Sequence, residues 1–478
     1  MAPPAGTALT RSHQWFVLVA MTGSLSMVLL DQTVVTVALP TMQKALPLSA
    51  GGAHWVVSGY VLAMAAFVAL AGRIGDRFGG VTTFRIGVVL FFLASAGCGL
   101  VPHGGASEWV LISFRAVQGI GAALMLPASE AIVTNTFSLA DRGRAMAVYV
   151  GVGQIFLAIG PLLGGFLTEW VSWRAAFWLN VPVGILALFL VTWAKPPNVG
   201  GLPFRPSPVL VIAIVGGMAA LIFGIQEGPG FGWRSPITIS TVVVGLAAIA
   251  WVVRDQMAAS DPLIDVRQFL KPGVGGDLLV VSLIQFALLG MVLYATIYLQ
   301  NVLGFSPMNA GIAALPFIFA IAGGAQVGGR WFDRSGVRDC VLAGLTLAAA
   351  GMAAWALVLP VLNYWLMVPA MLVTGFGIGL VQSPTNTDVL SRATPAERTQ
   401  TSGLVQTVRQ VGGATGVAVI GAIVLTITPG GARAAPDAWA ITAGFGAGAV
   451  ALLLALAGAW RLLPSGRIGD APVLPSGG

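Results

Sequence analysis

Apolar and polar positions alternate in blocks along this chain. Runs of Leu, Val, Ala, Gly and Phe about twenty residues long are separated by short breaks rich in Pro, Asp, Arg and Ser. One run of that length crosses the ~30 Å hydrocarbon core of a bilayer as a single α-helix. The pattern predicts fourteen such spans. The first six lie near 15–38, 53–72, 82–101, 109–130, 145–168 and 174–194. Two more lie near 208–226 and 236–254. The last six lie near 277–300, 308–329, 339–359, 364–384, 404–427 and 438–460.

Composition fits this picture and excludes others. Hydrophobic residues make up 57% of the 478 positions and charged residues only 9%. A soluble protein carries roughly a quarter charged residues, so this chain has too few to coat a globular surface. The formal charge is +7, but the basic residues are scattered singly and form no stripe, which argues against a nucleic-acid partner. The first apolar run continues past Asp31, too long for the core of a cleavable signal, so the first span is expected to stay in the protein. Cys98 and Cys340 are expected near opposite membrane faces, too far apart to bridge, as free thiols.

The basic residues also choose an orientation. With the amino terminus in the cytoplasm, only Lys44, Arg174, Arg234 and Arg433 fall outside. Arg115 and Arg409 lie within spans, and every other Arg and Lys falls inside, as the positive-inside rule requires. An even number of spans places both termini in the cytoplasm.

One polar break occurs twice. "GRIGDRFG" (72–79) returns as "GRWFDRSG" (329–336), with five identities in eight positions. Each copy is expected on the cytoplasmic side, between spans two and three and between spans ten and eleven. Two copies in one orientation imply two parallel repeats. The expected organisation is a six-helix bundle over 1–194, a linker with two inserted spans over 195–276, and a second six-helix bundle with a cytoplasmic tail over 277–478. The stretch "KPPNVGGLPFRPS" (195–207) introduces the inserted pair. Within the first copy, Gly72 and Gly79 are expected to allow a tight reversal. Asp76 is expected just before the next helix, facing its amino terminus. Arg73 and Arg77 offer it partners.

Few charges fall well inside the spans, and each needs a reason, because a charge at mid-bilayer costs about 2.5–3.5 kcal/mol on insertion scales. Asp31 lies some sixteen residues into span one, and Arg115 about six residues from the outer end of span four. At about 1.5 Å per residue the two reach similar depth in the outer half and can meet. Such a pair is either a static brace or a proton and substrate site; intramembrane ionisable groups favour the second. Glu130, at the cytoplasmic end of span four, is a second acid, either in coupling or in an interfacial pair with Arg142 or Arg144. Aromatic and amide side chains suited to a substrate cavity are Trp55, Tyr60, Gln118, Gln154, Tyr294, Tyr298, Gln382 and Asn386. Gly153, Gly160 and Gly164 share one helical face, a seam for close approach, with Pro161 removing one backbone donor. Gly412 and Gly416 repeat the spacing in span thirteen.

These residues resemble the major facilitator superfamily, in its branch of fourteen-spanner drug:proton antiporters. The repeated break is similar to that family's signature between spans two and three. "LDQTVVTVALPTM" (30–42), "FRAVQGIGAALMLPAS" (114–129) and "GVGQIFLAIGPLLGG" (151–165) resemble its motifs in spans one, four and five. "WRAAFWLNVPVG" (173–184) and "RQVGGATGVAVIG" (409–421) agree as well. The resemblance implies an all-α integral membrane protein with the major facilitator fold, two pseudo-symmetric bundles of six helices plus two inserted helices. It implies export of small amphipathic or cationic molecules by alternating access, driven by protons, from a monomer in the cell membrane without cofactor or metal.

It further implies a conformational latch at Gly72, Arg73, Asp76, Arg77 and Gly79, with a weaker copy at Asp333 and Arg334, and an antiporter motif at Gly153, Gly160, Pro161, Gly164 and Gly165. At Glu130 the family usually carries an apolar residue. Some multidrug members carry an acid in span ten; "AGIAALPFIFAIAGGAQVGG" (310–329) has none, which weighs against divalent cationic drugs.

Two rivals remain. A nutrient transporter shares the fold, though the glycine–proline motif and the inserted pair argue against it. An intramembrane enzyme needs a nucleophile–base or metal cluster. His13, His54 and His103 are isolated at span ends and build none.

Overall fold

The computed structural model describes residues 11–464 apart from 138, 199, 201–206, 260–261, 264–265, 272, 393–397 and 430–435. Arg205, Arg433 and Arg467, used above for orientation, lie outside these residues. So do the side chains of Asp76, Arg142, Arg144, Gln154 and Asp333.

The described residues are almost wholly helical. The long helices are α1 (Arg11–Ala45), α2 (Ala50–Phe78), α3 (Gly80–Gly99), α4 (Ser107–Thr136), α5 (Leu139–Phe166) and α6 (Asn180–Ala194). They continue as α7 (Pro208–Phe231), α8 (Pro236–Ala258), α9 (Val274–Ile297) and α10 (Pro307–Ser335). The last are α11 (Val337–Val358), α12 (Tyr364–Arg392), α13 (Arg398–Ile427) and α14 (Ala438–Leu462). Single wide turns extend α5 over Leu167–Val171 and α9 over Tyr298–Val302. Thirteen helical segments among the described residues are long and apolar enough to cross a membrane. The remaining long helix, α5, carries the predicted span five.

Helix is the only local answer here, because a helix satisfies its own backbone where no water is available. The ends show how each start and stop is made. Ser49 Oγ accepts from the Gly52 N–H at 2.8 Å to start α2, and Asp437 accepts from the Ala440 N–H at 2.8 Å to start α14. Prolines such as Pro40, Pro127, Pro161 and Pro316 sit inside helices, each removing one backbone donor.

The repeated eight-residue break is not a loop. Residues 72–78 are the last two turns of α2, and residues 329–335 the last two turns of α10. The reversal is made by one glycine in each copy, Gly79 at φ 91° and Gly336 at φ 83°. Each donates its N–H to the carbonyl four residues earlier, Gly79 to Gly75 and Gly336 to Phe332, both at 2.9 Å. Gly72, expected to help the turn, lies within the helix with open space around it. Asp76, expected ahead of the next helix, belongs to the final turn of α2. The helix ends where positive φ is actually taken, at Gly79; Gly72 and Gly75, equally free to take it, stay helical.

The chain divides into two compact units. The first holds residues 1–255 with 295–314 and 428–435; the second holds 256–294, 315–427 and 436–478. In the first unit α5 packs along α1, and α4 packs against both α2 and α3. In the second, α12 packs on α11, and α11 on α14. The glycine contacts repeat between the units. A Cβ at Gly87 of α3 would meet the Gly121 carbonyl of α4 at 2.8 Å, and one at Gly344 of α11 would meet the Gly377 carbonyl of α12 at the same 2.8 Å. Gly87 and Gly344 each stand eight residues beyond their turn glycine, so the sequence repeat is also a packing repeat.

The inserted pair falls in the first unit up to Asp255; α7 rests on α2, and α8 packs on α7, where a Cβ at Gly217 would lie 2.7 Å from Ala248. The Trp55 indole donates to Glu227 at 2.6 Å, and Ser58 Oγ donates to Gln226 at 2.8 Å. The outer face of α8 is apolar yet exposed at Ile237, Ile239, Val243, Val244 and Leu246, as a lipid-facing helix requires. Cys98 and Cys340 are both free and buried.

Candidate functional site

Asp31 sits midway along α1 with no exposed surface, and Arg115 on α4 is 1% exposed. Their side chains meet at 2.5 Å, Arg115 Nη1 to Asp31 Oδ2. The other carboxylate oxygen, Oδ1, accepts from Gln118 Nε2 at 2.9 Å and from Asn180 Nδ2 at 3.2 Å. Asp31 therefore faces three donors supplied by α4 and α6.

Arg115 has acceptors besides Asp31. Its Nε donates to the Val56 carbonyl of α2 at 2.9 Å, and its Nη1 donates to Gln118 Oε1 at 2.6 Å. Its guanidinium carbon lies 4.2 Å from the centre of the Tyr60 ring and 5.9 Å from that of Phe177. A buried cation on an aromatic face gains about 2 kcal/mol where water is excluded. Asn180 is held in turn by Ser95 Oγ at 2.9 Å, and Ser95 donates to the Phe177 carbonyl at 2.8 Å. Four helices and the turn before α6 thus converge on one carboxylate.

Each oxygen of the Asp31 carboxylate meets a donor. Arg115 has, besides Asp31, a carbonyl, an amide oxygen and a π-face. Breaking a buried pair commonly costs 3–5 kcal/mol because one charge is stranded; here the stranded cation retains partial solvation by the protein.

The predicted glycine seam borders this carboxylate. A Cβ at Gly153 would lie 2.7 Å from Leu25, one at Gly160 would lie within the Thr33 hydroxyl, and one at Gly164 would lie 2.9 Å from the Val34 Cα. All three faces belong to α1, on either side of Asp31. Gly165 faces elsewhere: a Cβ there would lie 2.5 Å from the Pro307 carbonyl oxygen. In the second unit a Cβ at Gly412 or Gly416 would collide in the same way with the Ser282 or Phe286 carbonyl of α9. The Gln300 amide donates to the Val37 carbonyl of α1 at 2.7 Å, a further tether two turns beyond Asp31.

Of the remaining sequence candidates, Gln118 and Tyr60 belong to the Asp31 cluster. Trp55 is bonded to Glu227 and so belongs to the seat of the inserted pair. Tyr294 and Tyr298 are buried. Gln382 and Asn386 line a narrow cleft in the second unit with Gln285 and Arg409, and Arg409 donates to Asn386 at 2.8 Å. Glu130 is half-buried on α4 in electrostatic range of Tyr149, whose hydroxyl pairs with Ser129 at 2.6 Å. Arg73 and Arg334 are described, but the side chains of Asp76 and Asp333, which the latch needs, are outside the described residues. No group of three or more metal-ligating residues occurs among the described residues.

Sequence reasoning missed Asn180 and Ser95. Each is a neutral hydrogen-bonding residue inside an apolar run, whereas Asp31 was singled out by its charge. It also missed Asn198, which clamps the α2–α3 turn. Asn198 accepts from the Val81 N–H at 2.9 Å and donates to Thr82 Oγ1 at 3.1 Å.

Comparison with known proteins adds relatives to this geometry. Residues 21–417 match the Major Facilitator Superfamily. The chain is similar to the puromycin resistance protein of Streptomyces alboniger, 33% identical over 86% of this chain and 82% of that one. It is 31% identical to the tetracenomycin C resistance and export protein of Streptomyces glaucescens, over 91% and 81% of the two chains. It is 34% identical to the multidrug resistance protein Stp of Mycobacterium tuberculosis, over 89% and 79%. Among solved structures, a D-xylose–proton symporter superposes with TM-score 0.67 at 14% identity, covering 95% of this chain and 98% of that one. A bacterial homologue of the human lysosomal transporter Spinster gives 0.63 at 17% identity, covering 94% and 97%. At those identities the two structures establish the fold alone.

Proposed function

This chain belongs to the major facilitator superfamily, and on that premise we propose that it exports small, antibiotic-like molecules from the cell in exchange for protons. It is a multi-pass membrane transporter rather than an enzyme. The observation that carries proton coupling is Asp31, a carboxylate with no exposed surface held by three donors from two other helices. Export is supported by relatives named for resistance and export.

In this reading Asp31 takes a proton from the acidic outer side, loses its charge, and releases a bound cationic or amphipathic substrate. Loss of that proton to the cytoplasm restores the charge. Arg115, Gln118 and Asn180 set how tightly the proton is held. The glycine seam lets α5 shift along α1, so a change in helix contact changes the surroundings of Asp31. Coupling requires that difference between states, because a ligand shifts an equilibrium only through unequal affinity.

Glu130 is a second acid for the same traffic. Trp55, Tyr60, Tyr294, Tyr298, Gln382 and Asn386 are candidates for substrate contact, and the α2–α3 and α10–α11 turns for conformational control. The protein works as a monomer in the cell membrane with both termini cytoplasmic. Expression in a pump-deficient bacterium tests the export reading: tolerance to at least one class of toxic compound is expected to rise at least fourfold. In inside-out vesicles, an acid interior is expected to drive uptake of that compound. Uptake abolished by the acid interior and restored by an acid exterior marks an importer instead.

A further inference from the structure

The second unit buries a pair of acids that the transport cycle above does not use. Asp277 opens the first turn of α9, and its N–H donates to the Gly273 carbonyl at 3.0 Å. Asp388 lies near the end of α12. Both residues have no exposed surface. Neither carboxylate oxygen of Asp277 meets a hydrogen-bond donor. What Asp277 does meet is the carboxyl of Asp388, within hydrogen-bonding reach. Asp388 is itself held by Arg392 one turn later, Oδ2 accepting from Nε at 2.5 Å and Oδ1 from Nη2 at 3.2 Å.

Among the described residues no second cation acts on Asp277; Asp388 and Arg392 are the charged groups that do. The short turn Val266–Leu270 carries Arg267, but its guanidinium is spent on the Met257 and Ala259 carbonyls. Lys271 is exposed. The end of α14 presents Leu462 and Leu463 against Gly276, and Arg461 there is exposed. From α13 come Leu404, Val405 and Val408, which close an apolar shell with Val274, Leu278, Val281 and Val389. Gly273, at φ 83°, leaves room for Arg392: a Cβ there would sit 2.9 Å from the guanidinium carbon.

Two carboxylates and one guanidinium leave one negative charge in excess, in a shell that cannot solvate it. A stranded buried charge of this kind is strongly unfavourable. Two acids sharing one site resolve the conflict by holding one proton between them. With that proton on Asp277, its hydroxyl donates to Asp388, every group is satisfied, and the cluster is neutral.

We propose that Asp277 and Asp388 form a second proton-binding site, separate from Asp31, in which one shared proton clasps α9 to α12 over Arg392. On the predicted topology both helix ends face the cytoplasm, so the proton exchanges with that side. Its loss leaves two adjacent negative charges and loosens the α9–α12 contact. The proposal does not depend on Asp31 being the coupling acid or on the substrate being a drug.

Infrared difference spectroscopy on the full-length protein in lipid nanodiscs tests it. At neutral pH the protein is expected to show a protonated-carboxyl carbonyl band that moves when heavy carbon is placed in the aspartate carboxyl groups. That isotope shift needs no mutation, so it stands even if a variant folds poorly. The band is expected to survive Asp31→Asn and to vanish in both Asp277→Asn and Asp388→Asn. Absence of an aspartate band in the unmodified protein overturns the proposal. So does a band lost only in Asp31→Asn, or one that persists in both Asp277→Asn and Asp388→Asn. A band that sodium suppresses at constant pH also overturns it, since the site then belongs to a metal cation.

Discussion

At the scale of single residues, Asp31 and Arg115 are expected to fail differently. Asp31→Asn keeps the shape of the side chain and leaves Arg115 its other acceptors, so the protein is expected to fold and insert. Arg115→Ala strands a carboxylate in the interior and is expected to cost about 3–5 kcal/mol of stability, visible as a lowered melting temperature in detergent. Asn180→Ala removes one donor from Asp31 and the partner of Ser95. Polar contacts inside membrane proteins average about 0.6 kcal/mol and reach about 1.7, so a loss in that range is expected, with slower efflux. Asn180→Ala with unchanged melting and unchanged efflux would remove it from the site.

At the scale of helices, close approach controls the outcome. Gly164→Ala pushes a methyl into the backbone of α1 at Val34, 2.9 Å away. Overpacking of this kind costs about 1–3 kcal/mol, and efflux is expected to fall with it. Gly79 and Gly72 form a matched contrast. Gly79→Ala forces a side chain to positive φ, at about 1–2 kcal/mol, and into Asn198. Gly72→Ala meets open space inside a helix, where Ala gains roughly 0.5–1 kcal/mol over Gly. Thermal melting of the two variants separates a turn made by one glycine from a flexible eight-residue loop: equal losses would contradict the single-glycine turn.

That contrast also shows how far the sequence could be read at this scale. Apolar run length located the helices, because the bilayer sets their length. Residue periodicity put Gly153, Gly160 and Gly164 on one face, and that face meets α1. The ends of α2 and α10 were misread, since glycine and charge in sequence suggest a loop, whereas helical hydrogen bonding continues until positive φ is reached. Asn180 and Ser95 escaped because neutral hydrogen-bonding residues are common in spans and only contact reveals which of them touch Asp31. Asp277 and Asp388 escaped because both fall at span ends, where charge is ordinarily solvated; their burial comes from helices remote in sequence.

At the scale of the whole molecule, the positive-inside count and the repeated turn predict a fixed topology. Reporter fusions are expected to place Ser207 in the cytoplasm and Gly232 outside, with α7 between them. An external Ser207 would invert the inserted pair and the reading of the basic residues around it. Membership of the superfamily supplies the fold and the transporter class; proton coupling has to come from Asp31. The most direct measurement reconstitutes the purified protein and its Asp31→Asn variant into liposomes and follows internal pH while an accepted substrate is added. Substrate-dependent proton movement is expected in the unmodified protein and absent in Asp31→Asn, whose melting temperature is retained while its substrate binding weakens, because the neutral Asn mimics protonated Asp31. A well-folded Asp31→Asn protein that still moves protons in step with substrate would contradict the account.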